Sequence, residues 1–192
     1  MRGPRRRAAV CAAASMLVVV PSRTAVGPVQ PQAKASNAFA AVASVLASSR
    51  CANCHIDGDA PLQGEDGRVH AMNVRRGADG RGILTMRCTN CHQDESSMTP
   101  HAPPGGPDWR LPPAVTPMAW RGLSQRDVCR MLIDRNRNGN RSLADLLEHV
   151  AADPLVMSGW SPGFGRPVPP FSHEVFVQRF REWIAGGAPC PD

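Results

Sequence analysis

The chain contains no tyrosine, and its 192 residues include only five Phe and four Trp. Aromatic side chains bury more area than most others, so their scarcity leaves a conventional packed core short of material. Lysine is almost missing too: Lys34 is the single one, and every other basic residue is Arg. Residues 1–35 hold no acidic residue and six basic ones; beyond them 16 Arg face 16 Asp plus Glu. The formal charge of +6 therefore belongs to the N-terminal segment and gives no argument for nucleic-acid binding. The apolar run 8–20 has 13 residues, short of the roughly 20 that a membrane span needs.

That run reads instead as the h-region of a secretory signal. Arg2, Arg5, Arg6 and Arg7 precede it and Pro21 ends it. Cleavage is expected within residues 24–35, the last of these closing the small-x-small triplet Ala33-Lys34-Ala35. Residues 1–35 are then a signal peptide, and residues 36–192 the mature domain, exported to the periplasm by the Sec route. An uncleaved N-terminal anchor is the alternative, because the cut site is poor.

Two C-x-x-C-H pentapeptides dominate the remainder: Cys51-Ala52-Asn53-Cys54-His55 and Cys88-Thr89-Asn90-Cys91-His92. Each is the attachment signature of a c-type haem. Two thiols three residues apart reach the two vinyl groups of one porphyrin, and the following imidazole meets the iron as its proximal ligand. Zinc is the competing reading of paired C-x-x-C. It fits less well, because 33 residues separate Cys54 from Cys88 and each second cysteine carries an adjacent His. The expectation is two covalently attached haem c groups, with His55 and His92 on the irons.

Of the seven cysteines, Cys11 falls in the signal segment and four belong to the motifs. Cys129 and Cys190 remain as an even pair in an oxidising compartment and are expected to form a disulfide. The loop between them is long enough for the bridge to stabilise the fold by about 4 kcal/mol in the chain-entropy picture.

The expected fold is mainly α with extensive irregular loops, a single dihaem cytochrome c domain with no substantial β-sheet. A small-residue helix is expected over 37–49, leading into the first motif. Little regular structure is expected over 56–122. The Gly-rich stretch 76–82 lacks the flanking strand and helix of a phosphate loop, and the Pro-rich stretch 102–117 reads as extended chain. In the last third, Ser124 with Asp127 caps a helix over 125–133, Ser142 with Asp145 one over 143–152, and Ser172 one over 173–185. The last ends at Gly186-Gly187 and turns Phe176, Val177, Phe180, Trp183 and Ile184 inward.

Residues 134–145 imitate an EF-hand loop, with oxygen-bearing side chains at several ligand positions and Gly139 at the sixth. Three Arg in the loop and a short Asp145 at its end argue against calcium, and a capped helix-turn-helix accounts for the same letters.

Four His lie outside the motifs: His70, His101, His149 and His173. His70 and His101, polar loop imidazoles that each follow a motif, are the favoured distal ligands. Met72, His173 and Met118 are the alternatives, and His149 reads as a hydrogen-bonded surface residue. Met ligation raises a haem's potential relative to two imidazoles, so the choice sets the redox behaviour. Propionate partners are sought among Arg75, Arg76, Arg81, Arg87 and Arg110.

Beyond the motifs, Pro61-Leu62-Gln63-Gly64, His70-Ala71-Met72-Asn73-Val74, Pro103-Pro104-Gly105 with Trp109, and Asp153-Pro154-Leu155-Val156 form a pattern over essentially the whole mature chain. It resembles small bacterial dihaem c-type proteins often labelled as an isoquinoline 1-oxidoreductase subunit. In that family a His often stands where this chain has Arg110, which implies that the position is not a required ligand. The label implies electron transfer beside a molybdenum hydroxylase, although nothing in this chain resembles the hydroxylase itself.

The leading functional expectation is a periplasmic electron carrier, not an enzyme. It would pass single electrons between a donor dehydrogenase and a downstream acceptor, with redox proteins as partners, no nucleic acid and no stable membrane span. A small peroxidase- or reductase-like haem enzyme is the second class. It needs an open iron and an acid/base group, for which His101, His149 or Asp94 are the candidates. A sensor is the third, without a receiver domain to support it.

Overall fold

The computed structural model describes Gly3 and residues 31–192; the arginines and apolar run of the expected signal lie outside the described residues. Among the described residues, six helices and two minimal hairpins follow one another along the chain. The fold is mainly α, as expected.

Helix α1 spans Pro31–Leu46, starting ahead of the expected Asn37. Pro at the first turn and the good helix formers Gln32, Ala33, Lys34 and Ala35 carry it backwards. Ala35 is 2% exposed and packs where Gly186 has no side chain; a Cβ there would overlap it. Of the small-x-small triplet, Ala33 and Lys34 are exposed on the helix and Ala35 is buried. α1 also stops before Ser49, and Ser48 leads into the short α2, Ser49–Ala52, which carries Cys51.

Three later helices have the bounds that their caps dictate. In α3, Gln125–Ile133, the Asp127 N–H donates to Ser124 Oγ at 3.2 Å. In α4, Leu143–Ala152, the Asp145 N–H donates to Ser142 Oγ at 3.1 Å and the Ser142 N–H to Asp145 Oδ2 at 2.8 Å, a reciprocal capping box. In α6, His173–Ala185, the Val175 N–H donates to Ser172 Oγ at 3.3 Å. Between the last two lies α5, Pro154–Ser158, capped by Asp153.

The core is mainly helical and reaches into the first motif, where Ala52 belongs to it and Cys51 packs against it. α1 packs on α6, with α3 and α4 against them. Phe39 meets Trp183 at 4.9 Å, and Phe180 stands edge-on to Trp183 at 5.3 Å. Few aromatics suffice because Ala38, Val42, Val45, Val128, Met131, Leu132, Leu146 and Val150 fill the remaining space. Ile184, expected inward, is only partly buried. Cys129 and Cys190 lie at disulfide distance, 2.01 Å between sulfurs and 5.5 Å between Cα atoms, tying the chain after α6 to α3.

The stretch from Asn53 to Gly122 holds the irregular part. Its regular structure is limited to two antiparallel hairpins, β1 (Leu62–Gln63) with β2 (Arg68–Val69) and β3 (Gly82–Ile83) with β4 (Met86–Arg87), and two 3-10 turns. The EF-hand-like loop folds as a turn between α3 and α4. Asn138 is 1% exposed, its Nδ2 donating to the Leu132 and Arg141 carbonyls and its Oδ1 accepting from Arg141 N–H. Asp134 Oδ1 accepts from Asn136 N–H and Asp145 belongs to the capping box. Internal bonds thus engage three of the oxygens that a calcium loop would direct inward.

Candidate functional site

The two motif histidines are held by one device used twice. His55 Nδ1 lies 3.1 Å from the Met118 carbonyl oxygen, and His92 Nδ1 lies 2.7 Å from that of Pro104. A carbonyl can only accept, so each Nδ1 carries the ring proton and each Nε2 keeps a bare lone pair, the tautomer that metal-binding histidines adopt. Each ring also lies flat on an indole: His55 on Trp120, centroids 3.6 Å apart and planes at 12°, and His92 on Trp109, at 4.2 Å and 6°.

Backbone bonds return from the same segments. Trp120 N–H donates to the His55 carbonyl at 3.2 Å, and Gly106 N–H to that of Gln93 at 2.8 Å. Gly105 lets the second segment pass this close, because a Cβ there would overlap the Glu95 backbone. Sequence reasoning missed Trp120 and both carbonyl acceptors; Trp109 and Pro104 entered only as letters of a resemblance. The available signal was a Trp after each motif in a chain with only four.

Burial drives the His55 pKa down to about 3, against the smaller opposing effect of the Met118 carbonyl, and it lowers His92 as well. Both imidazoles are neutral near neutral pH. Burial also pushes the thiols of Cys51 and Cys54 up to about 11, with Cys51 and then Cys88 adding to the rise at Cys54. None of the four motif cysteines is disulfide-bonded.

The candidate distal residues scatter. His70, which directly follows β2, comes to the second motif: its ring lies 6.2 Å from that of His92, planes at 62°. Its Nδ1 is 2.9 Å from the Ala71 carbonyl, so it too presents a bare Nε2. His101 is exposed, at a left-handed φ of 64°, and its ring makes no hydrogen bond among the described residues. His173 donates from Nε2 to the Val150 carbonyl at 2.8 Å, holding α6 to the end of α4. Met118 packs against the core and its carbonyl is on the Nδ1 side of His55. Met72 is 70% exposed. His149 pairs through Nδ1 with Asp153 at 3.2 Å, beside a cavity of about 590 Å³ that Arg110 and Arg141 also line.

Among the propionate candidates, Arg81 pairs with Asp108, Arg87 with Asp79, and Arg110 with Asp108 and Asp153. Arg75 donates to Asn73 Oδ1 at 2.7 Å. Arg76 differs: 1% exposed, it donates to the carbonyls of Pro112, Ile56 and Gly58 and has no carboxylate partner among the described residues.

Among the described residues no group of three or more His, Cys, Asp and Glu side chains is arranged to hold a metal ion, as the tetrahedral donor set of a structural zinc site would require. A haem iron asks less of the protein, one imidazole nitrogen on a face, and the donor set fits that demand: two free thiols and one bare Nε2 per motif. No helix among the described residues is long and apolar enough to cross a membrane. No family model, curated protein or solved structure matches the chain.

Proposed function

We propose that this protein is an exported, periplasmic dihaem c-type cytochrome that carries single electrons between an oxidoreductase and a downstream acceptor. The observation that carries the reading is the repeated clamp: each motif histidine has Nδ1–H on a backbone carbonyl and Nε2 bare, beside two unpaired cysteines. Bound haem supplies a ferric/ferrous couple that takes up and releases one electron. The chain does the rest. Cys51, Cys54, Cys88 and Cys91 anchor the rings; His55 and His92 bind from one face; Trp120 and Trp109 fix the imidazole planes; Arg76 adds a buried positive charge beside the first motif. The resemblance to cytochrome subunits of molybdenum hydroxylases supports such an oxidoreductase as the partner.

Co-expression with a haem-maturation system, followed by a pyridine haemochrome assay on the purified protein, tests the reading. Two covalent haems per chain are expected, one being lost when Cys51 and Cys54 are both replaced by Ala. A chain that leaves the periplasm without covalent haem would sink it.

A further inference from the structure

We propose that the distal ligand of the haem on the second motif is His70, supplied crosswise from the hairpin that follows the first motif. This rests on the dihaem reading and extends it to a specific iron.

The ring spacing points there. Two imidazoles on one metal ion place their centroids roughly 6 Å apart, since each metal–nitrogen bond spans about 2 Å and each ring adds about 1 Å from nitrogen to centre. His70 and His92 are 6.2 Å apart. The 62° between their planes is compatible with axial binding, because a single bond to the metal leaves each ring free to turn about it. An edge-to-face ring contact would also span this range, but the protonation pattern favours a shared ion. Both rings have Nδ1–H on a carbonyl and a bare Nε2. Two lone pairs on neighbouring rings attract a cation, not one another.

The position of His70 is built. Its N–H donates to the Pro61 carbonyl at 2.9 Å, and the next N–H, of Ala71, donates to Gln63 Oε1 at 2.9 Å. β1 and β2 are in register through Leu62 with Val69 and Gln63 with Arg68. Asn53, inside the first motif, accepts from Leu62 N–H and donates through Nδ2 to the Gly64 carbonyl. The hairpin is thus fastened to the first motif at its base and delivers an imidazole to the second. Met72 and Asn73, just beyond, adopt left-handed φ of 65° and 54°, a sharp turn that carries the chain away from His70. The rivals at this iron lack such a placement, His173 having its Nε2 on Val150 and His101 standing exposed.

The test marks one haem optically. Cys54→Ser leaves one vinyl of the first haem unreacted, which shifts its α band to longer wavelength and separates it from the second. His70→Ala is then made in that background, and the protein is reduced and exposed to carbon monoxide. The expected result is that half of the haem becomes high-spin and binds carbon monoxide, and that the unshifted band is the one lost. Loss of the shifted band, or two low-spin haems, overturns the proposal. If the double variant does not accumulate, His70→Met alone serves: a Met–iron charge-transfer band and a rise in one of the two midpoint potentials are expected, and two unchanged potentials overturn the assignment. Absence of covalent haem in the unmodified protein is a different failure, that of the dihaem reading.

Discussion

The indole of Trp120 lies flat on the imidazole of His55, centroids 3.6 Å apart, while its own Nε1–H reaches the Leu46 carbonyl at 2.8 Å. One side chain therefore connects the end of α1, in the helical core, to the first motif. Trp120→Phe preserves an aromatic face and leaves the buried Leu46 carbonyl unpaired. A loss of about 1–3 kcal/mol is expected in denaturant unfolding. Trp120→Ala, which also opens a cavity, is expected to cost about 3–5 kcal/mol.

Arg76 is a buried cation whose guanidinium donates to three backbone carbonyls, with the charges of Asp59 and Asp57 partly offsetting its burial. Lysine also has three donors, but all on one nitrogen, whereas the Pro112 carbonyl and the Ile56 and Gly58 carbonyls are served from two separate guanidinium nitrogens. Arg76→Lys is therefore expected to destabilise by about 1–3 kcal/mol for each carbonyl left unpaired. The charge also acts on Cys54 and His55. On the dihaem reading, Arg76→Gln removes a positive charge that favours electron addition nearby. A potentiometric titration should show one midpoint falling and the other unmoved.

Asn138 makes three hydrogen bonds from a fully buried position. Asn138→Ala leaves backbone groups of Leu132 and Arg141 without partners, at about 1–3 kcal/mol for each buried group. Because the loop oxygens are engaged internally, millimolar calcium should leave the Tm unchanged. A calcium-dependent rise in Tm, abolished by Asp134→Ala, would contradict this account.

Burial, with Arg141 adding to it, holds the His149 pKa below the ordinary histidine value, against the pull of Asp153. The native state therefore keeps it neutral while the unfolded chain protonates it near pH 6.5. As pH falls below that point the unfolded state binds the extra proton, so stability declines, by at most about 1.4 kcal/mol per pH unit from this group. Above pH 6.5 the group's contribution is complete. His149→Gln should flatten the stability profile between about pH 6.5 and the lower native value, measurable by urea unfolding across that window.

What the sequence made legible was local. Ser124 with Asp127, Ser142 with Asp145, and Ser172 specify α3, α4 and α6 within four residues of themselves, so their bounds follow from neighbouring letters. α1 was legible only in part. Residues 33–36 have helix-forming composition, but that Ala35 is packed follows only from its meeting Gly186, a contact across the chain. The site behaves alike. His55 and His92 follow from adjacency to their cysteines, whereas their carbonyl acceptors are ordinary backbone at Met118 and Pro104, with no side-chain signature. His173 shows the same limit: its helical face was readable, but not that its Nε2 ends on Val150.

The two clamps close in an order that resembles one pair of brackets inside another. His92 meets Pro104 across 12 residues, and His55 meets Met118 across 63, a span that contains the whole of the first closure. Closing the longer loop costs about 1.5 kcal/mol more in chain entropy, and local contacts form sooner than distant ones. The inner bracket can therefore shut while the outer one stays open. An insertion between Arg110 and Thr116 lengthens only the outer bracket. A chain interrupted after Trp109 keeps the carbonyl of Pro104 and the indole of Trp109 that hold the His92 ring, and lacks the Met118 carbonyl and Trp120 indole that hold the ring of His55.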